Sequence, residues 1–96
     1  MNPGDKMRVA ILRVTPKPPW RQVAFLLGLS TVTRHRDGWR KARIETLAGY
    51  AGLSPAEATR ARNEVAARGL IEYRPGLPGG AAFCRITVPG IGGGDS

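Results

Sequence analysis

The sequence predicts an α+β domain in which two short, closely crossing helices run into a β-hairpin, and three observations predict it. Ala48 and Gly52 stand four residues apart, a small residue where one helix can touch another and a Gly where the chain reverses. Ser54-Pro55-Ala56-Glu57 is a helix start: Ser54 as N-cap, Pro55 at the first helical position, and Glu57 placed to close a capping box. Beyond a Gly-rich turn, Cys84, Ile86 and Val88 alternate with Phe83, Arg85 and Thr87, the period of a strand with one buried face.

Taken in order, residues 1–6 read as a flexible tail, and residues 7–89 as the folded domain. Arg8–Val14 is rich in aliphatic and β-branched residues and reads as an extra N-terminal strand, ended by Pro16, Pro18 and Pro19. From Trp20 to about Thr33, the spacing of Trp20, Val23, Ala24 and Leu27 gives one face of a helix. Phe25, Leu26 and Leu29 fall on its other sides, so this helix must be covered twice. Either the N-terminal strand or a second copy of the chain would supply the second cover, and in the latter case those three residues are the dimer interface.

Arg34 to Arg43 is the densest basic stretch, broken by a turn signal at Asp37-Gly38. Trp39 is expected to anchor a short strand into the core. Ile44, Leu47, Ala48 and Ala51 then repeat as on a half-buried helix, Leu53 plugs the corner, and Ala58, Ala61 and Val65 form the inner stripe of a second helix that ends at Gly69. Leu70–Arg74 and Ala82–Val88 read as strands around the turn Pro75–Ala81, and residues 90–96 as a disordered Gly-rich tail.

Composition narrows the class of function. A chain of 96 residues makes one small domain with a modest core. Its formal charge is +8, from twelve Arg and three Lys against seven acids. Arg presents a planar fork suited to phosphates and guanine edges, although a GC-rich genome would also write Lys as Arg. Cys84 is the only Cys and is expected buried, and His35 is the only His and is expected in a solvated loop, so neither a disulfide nor a metal cluster is indicated. No paired carboxylates, nucleophile–base pair or phosphate-binding Gly loop appears, which argues against an enzyme and against a cofactor. No secretory leader is evident, and the longest apolar run, Val23 to Leu29, falls far short of the ~20 residues of a spanning helix. A cytoplasmic protein, without membrane contact, is expected.

Glu45-Thr46-Leu47-Ala48, Gly52-Leu53-Ser54, Arg60-Ala61 and Gly69-Leu70-Ile71 together resemble winged helix-turn-helix DNA-binding domains. Pro19-Trp20 and Gly38-Trp39 extend the resemblance toward small bacterial and phage regulators and the N-terminal domains of plasmid and phage replication initiators, over roughly residues 8–89. The resemblance implies three helices, a β-hairpin wing and double-stranded DNA as partner. Residues 54–68 would enter the major groove, with Pro55, Ala56, Thr59, Arg60 and Asn63 facing the bases. Arg34, Arg36, Arg40, Lys41, Arg43, Arg62, Arg74 and Arg85 would be contacts to the phosphate backbone.

Two departures stand out. Arg62 occupies a position usually given to a large aliphatic residue, and no Ser, Thr or Asp caps the first motif helix near Ala42 and Arg43. The roles that fit are a small, dimeric transcription regulator, a phage or plasmid origin-binding or nucleoprotein-assembly factor, and a winged helix used for protein contact.

Overall fold

Among the residues that the computed structural model describes, 3–35, 37–76 and 80–89, four helices and three short strands follow in the order α1 (Pro3–Leu12), α2 (Trp20–Ser30), β1 (Trp39–Ala42), α3 (Ile44–Ala51), α4 (Pro55–Ala67), β2 (Ile71–Arg74) and β3 (Ala82–Ile86). The strands form one antiparallel sheet in the order β1-β3-β2. The fold class is therefore α+β, with one more helix and one more strand than a three-helix domain with a two-stranded wing.

The N-terminal segment corrects the sequence reading twice. It is neither a tail up to residue 6 nor a strand from Arg8, but a helix from Pro3 to Leu12. The reason lies in spacing: Met7, Ala10 and Ile11 fall on one helical side, and Val14 follows just past the end, all packed into the core. A strand over the same residues would have put Arg13 on the face that carries Val9 and Ile11. Asp5 in the first turn accepts a hydrogen bond from Arg8 at 3.0 Å, one turn on.

α2 is the centre of the domain and packs against α1, α3 and α4. Phe25, Leu26 and Leu29 are each 0 % exposed, so the assignment of these three residues to a dimer interface is overturned. The second cover that they require comes from the N-terminal segment of the same chain. α3 approaches α2 so closely at Gly28 that an added Cβ would lie 3.0 Å from the backbone N of Ala51 and 3.2 Å from its Cα. A small residue is thus needed on both partners.

The turn between α3 and α4 follows expectation. Gly52 adopts φ 72° and ψ 31°, a left-handed conformation, and its N–H donates to the Ala48 carbonyl. Ser54 then caps α4: the Glu57 N–H donates to Ser54 Oγ at 3.1 Å, and the Ser54 N–H donates to Glu57 Oε1 at 3.0 Å. Ala58, Ala61 and Val65 are fully buried, as their stripe predicts, and Leu47, Ala48 and Ala51 face them or α2.

In the sheet, Arg40, Ala42, Ile71, Cys84 and Ile86 point inward and are buried. Alternation then sends Trp39 outward, half-exposed, which corrects its expected role as a core anchor. The expected strand Ala82–Val88 is two residues shorter, ending at Ile86, although Val88 remains buried. Residues 77–79 of the expected turn and the C-terminal stretch 90–96 lie outside the described residues.

Substituting Gly28→Ala should destabilise the protein by about 1–3 kcal/mol, the usual cost of overpacking a tight contact. Gly49→Ala, at an exposed site in α3 with open space around it, should stabilise by about 0.5–1 kcal/mol through helix propensity. Urea unfolding of the two variants beside the parent checks both signs.

Candidate nucleic-acid interface

α4 has two sides of different chemistry because its small inner residues let it lie close to α2 and α3. Opposite the buried stripe of Ala58, Ala61 and Val65, the residues Ala56, Arg60 and Asn63 are exposed and Thr59 is half-buried. With spacings of three and four residues, they make one continuous outward row, and Pro55 is exposed at its N-terminal end. All five predicted base-reading residues are therefore brought together on one surface. Arg60 makes no ion pair among the described residues, which leaves its guanidinium available.

Asn63 is partly engaged. Its Oδ1 accepts from Arg62 Nε at 3.3 Å and from Arg62 Nη2 at 3.2 Å. The Arg62 guanidinium in turn lies 4.2 Å from the centroid of the Tyr73 ring on β2. Arg62 thus spans α4 and the sheet edge and orients the neighbouring amide, instead of reaching freely for a phosphate. The cation–π contact gives Arg62 a packing role, with its guanidinium covering the Tyr73 ring.

The remaining expected backbone contacts divide into three groups. Arg34, Lys41 and Arg43 are exposed, and none forms an ion pair among the described residues. Arg74 is exposed as well, while Arg85 donates to Glu72 Oε1 from Nε at 2.8 Å and also from Nη2, both to the same oxygen. Arg36 lies outside the described residues.

Arg40 is the exception that overturns its assignment as a phosphate contact. It is 7 % exposed, and its Nη1 donates to the Val32 carbonyl and, at 3.3 Å, to the Ser30 carbonyl. The Ser30 carbonyl ends α2 and the Val32 carbonyl follows two residues on, so the cation satisfies acceptors at and just past the helix end and complements its dipole. Burial, and then the nearby charge of Arg34, lower its pKa from the ordinary arginine value. Its Nε finds no partner.

Three arrangements had no clear sequence signal or were misread. Arg68, just past α4, donates to Gln22 Oε1 at 3.2 Å and to the Pro16 carbonyl at 3.0 Å, while Gln22 Nε2 donates to Glu64 at 3.4 Å. This network ties α4 to α2 and to the loop before it through residues 42 to 52 positions apart, a separation that no local pattern reports. Arg21 Nε lies 3.2 Å from Glu57 Oε2 and links the α4 cap to α2 in the same way. The outer face of the sheet carries Trp39 and Phe83 among cations, and the alternation about Arg40 and Ala42 could have revealed it had Arg40 been taken as inward.

Elsewhere the chemistry is quiet. Cys84 is buried, and desolvation pushes its thiol up to about 11, against a small opposing effect of Arg62, so it is a poor nucleophile at neutral pH. Among the described residues, no group of three or more His, Cys, Asp and Glu is placed to hold a metal ion, and no helix is long and apolar enough to cross a membrane. No protein-family model matches the chain, and curated proteins and solved structures yield no significant match.

The α4 cap makes stability pH-dependent. Hydrogen bonds from the Ser54 N–H and then its hydroxyl, with Arg21 assisting, hold the Glu57 carboxyl below its ordinary pKa. A depressed folded-state pKa contributes stability that is present above the ordinary Glu range and is lost as pH falls through the depressed value. Glu57→Gln should therefore flatten the acid limb of a plot of melting temperature against pH. Arg40→Met should cost about 2 kcal/mol in urea unfolding, since it strips a charged donor from two carbonyls, whereas the exposed Arg43→Met should change stability by less than about 0.5 kcal/mol.

Proposed function

We propose that the chain is a sequence-specific, double-stranded-DNA-binding protein of the winged helix-turn-helix kind, acting as a small transcription regulator. The observation that carries this reading is the outward row of Ala56, Thr59, Arg60 and Asn63 on α4, set directly opposite the buried small-residue stripe. A helix held against its neighbours by Ala58 and Ala61 stands with its polar side clear, and an α-helix of this kind fits the major groove. In this reading Arg60 forks onto a guanine, Asn63 pairs with an adenine once Arg62 releases its Oδ1, and Thr59 touches a thymine methyl or a phosphate. Arg34, Lys41 and Arg43 hold the phosphates beside α3 and β1, and β2 and β3 form the wing. The formal charge of +8 supports a polyanionic partner.

A second reading, contact with another protein, draws on a different surface. Trp20 is 69 % exposed and Tyr50 59 % exposed, and with Leu27 and Ala24 they line a shallow depression between α2 and α3. This patch, and not Phe25, Leu26 and Leu29, is where a second copy or another chain would meet the domain. Salt separates the two readings, because phosphate binding weakens steeply as salt rises and an apolar contact does not.

Selection from random duplexes gives the site on which the DNA reading is tested. Arg60→Ala should then weaken binding to the selected duplex by about tenfold or more, as loss of one bidentate base contact implies, with a much smaller effect on a scrambled duplex. Equal losses on both would make Arg60 a phosphate contact, and no loss on either would rule out docking through α4.

A further inference from the structure

The outer face of the sheet is an open platform of rings and cations. Across its strands, the half-exposed Trp39 pairs with Arg85, which pairs with Glu72, and in the next outward row Lys41 pairs with Phe83, which pairs with Arg74. The Arg74 and Arg85 guanidiniums lie 4.6 and 5.0 Å from the indole centroid of Trp39, and Lys41 Nζ lies 5.8 Å from that of Phe83. Three cations face one carboxylate, and that carboxylate is already held by Arg85. The residues of the opposite face, Arg40, Ala42, Ile71, Cys84 and Ile86, are buried against the helices, so the outer face is turned away from them.

We propose that this face binds single-stranded DNA, with unpaired bases stacking on Trp39 and Phe83 while Lys41, Arg74 and Arg85 hold the flanking phosphates. The chemistry selects this occupant in steps. A polyanion matches the excess of cations. A duplex offers this face only phosphates, because its bases are stacked on each other, whereas a single strand exposes the π-face of every base. An acidic peptide would satisfy the charges and leave both rings without a planar partner.

The guanidiniums now over Trp39 show that the indole face accepts a flat, delocalised group, and a base takes that place as the exposed Arg74 swings to a phosphate. The two rings sit on adjacent strands as diagonal neighbours, since Phe83 lies two residues from the partner of Trp39, and such positions are roughly 7–8 Å apart, a spacing that splayed bases can bridge. The one carboxylate of this face, Glu72, is held by Arg85 through Oε1, so a 2′-hydroxyl there would meet an anion that repels the adjoining phosphates, and DNA, which lacks that group, is the favoured strand. The inference does not rest on the duplex reading of α4, whose base contacts are other residues; of the phosphate contacts only Lys41 is shared by the two.

The test uses the full chain and fluorescein-labelled (dT)12, followed by anisotropy at low salt. Phe83→Leu keeps apolar bulk while removing the ring, and should weaken (dT)12 binding about five- to a hundredfold, the range for loss of one base–aromatic stack. In a Trp20→Phe background, where Trp39 is the only tryptophan, (dT)12 should quench the remaining fluorescence. Arg60→Ala, on the other surface, should leave (dT)12 affinity unchanged. Unaltered (dT)12 binding by Phe83→Leu, or an unquenched Trp39, overturns the proposal. So does (rU)12 binding tighter than (dT)12, or a loss with Arg60→Ala as large as that with Phe83→Leu, which would place the single strand on α4. Failure of duplex selection alone, with these results intact, would overturn the α4 reading and leave this one standing.

Discussion

At Gly28 the backbone of α2 meets Ala51 of α3 with no room for a further side chain, and the course of the chain from α3 into α4 depends on that contact. α2 is apolar almost all round, so it is stable only when covered on several sides, and α1, α3 and α4 divide that work among them. Because α3 is drawn against α2 at Ala51, the turn at Gly52 and the Ser54 cap start α4 at a defined point and direction. Ala58 and Ala61 then allow α4 to nest closely enough that its opposite side projects clear of the body of the domain. A bulkier residue at Gly28 would therefore be felt at the far side of α4, through two turns of rigid packing.

What could be read in the residues was the local grammar. The α4 cap, the left-handed Gly52 and the inner stripes of α3 and α4 depend on neighbours within four or five positions, and each is found as read. The N-terminal segment carries two opposing signals, β-branched content for a strand and the spacing of Met7, Ala10 and Ile11 for a helix, and the spacing prevails because that side packs into the core. The need of Phe25, Leu26 and Leu29 for a second cover is legible in their spacing, but nothing local says whether that cover belongs to the same chain. The row on α4 was legible because it is the complement of a buried stripe. The fates of Arg40 and Arg62 were not, because each depends on a helix end or a ring brought near by the tertiary fold.

The arginines illustrate how little net charge alone says about an interface. One of them closes the end of α2, one covers Tyr73, and one braces α4 against Gln22 and Pro16. Such residues serve the fold first, and their charge reaches a partner only as part of the general field of the molecule. Arg60, Arg34 and Arg43, by contrast, project from the surface without an ion pair among the described residues. Separating the two sets turns an undifferentiated basic chain into one with a few positions that can recognise something.

The segment before β1 has a consequence for how the protein meets copies of itself. His35 donates its N–H to the Trp39 carbonyl at 2.8 Å, and Arg34 bridges antiparallel to Arg40, so the chain folds back along the outer edge of β1. With β3 in the middle of the sheet, that leaves β2 as the edge whose backbone groups face outward without a described strand beside them. An unpaired edge is a template for further strands. Among the described residues, growth of this sheet by an added strand is open from Ile71–Arg74, and the exposed charges of Glu72 and Arg74 stand at that edge as its guard against indiscriminate pairing.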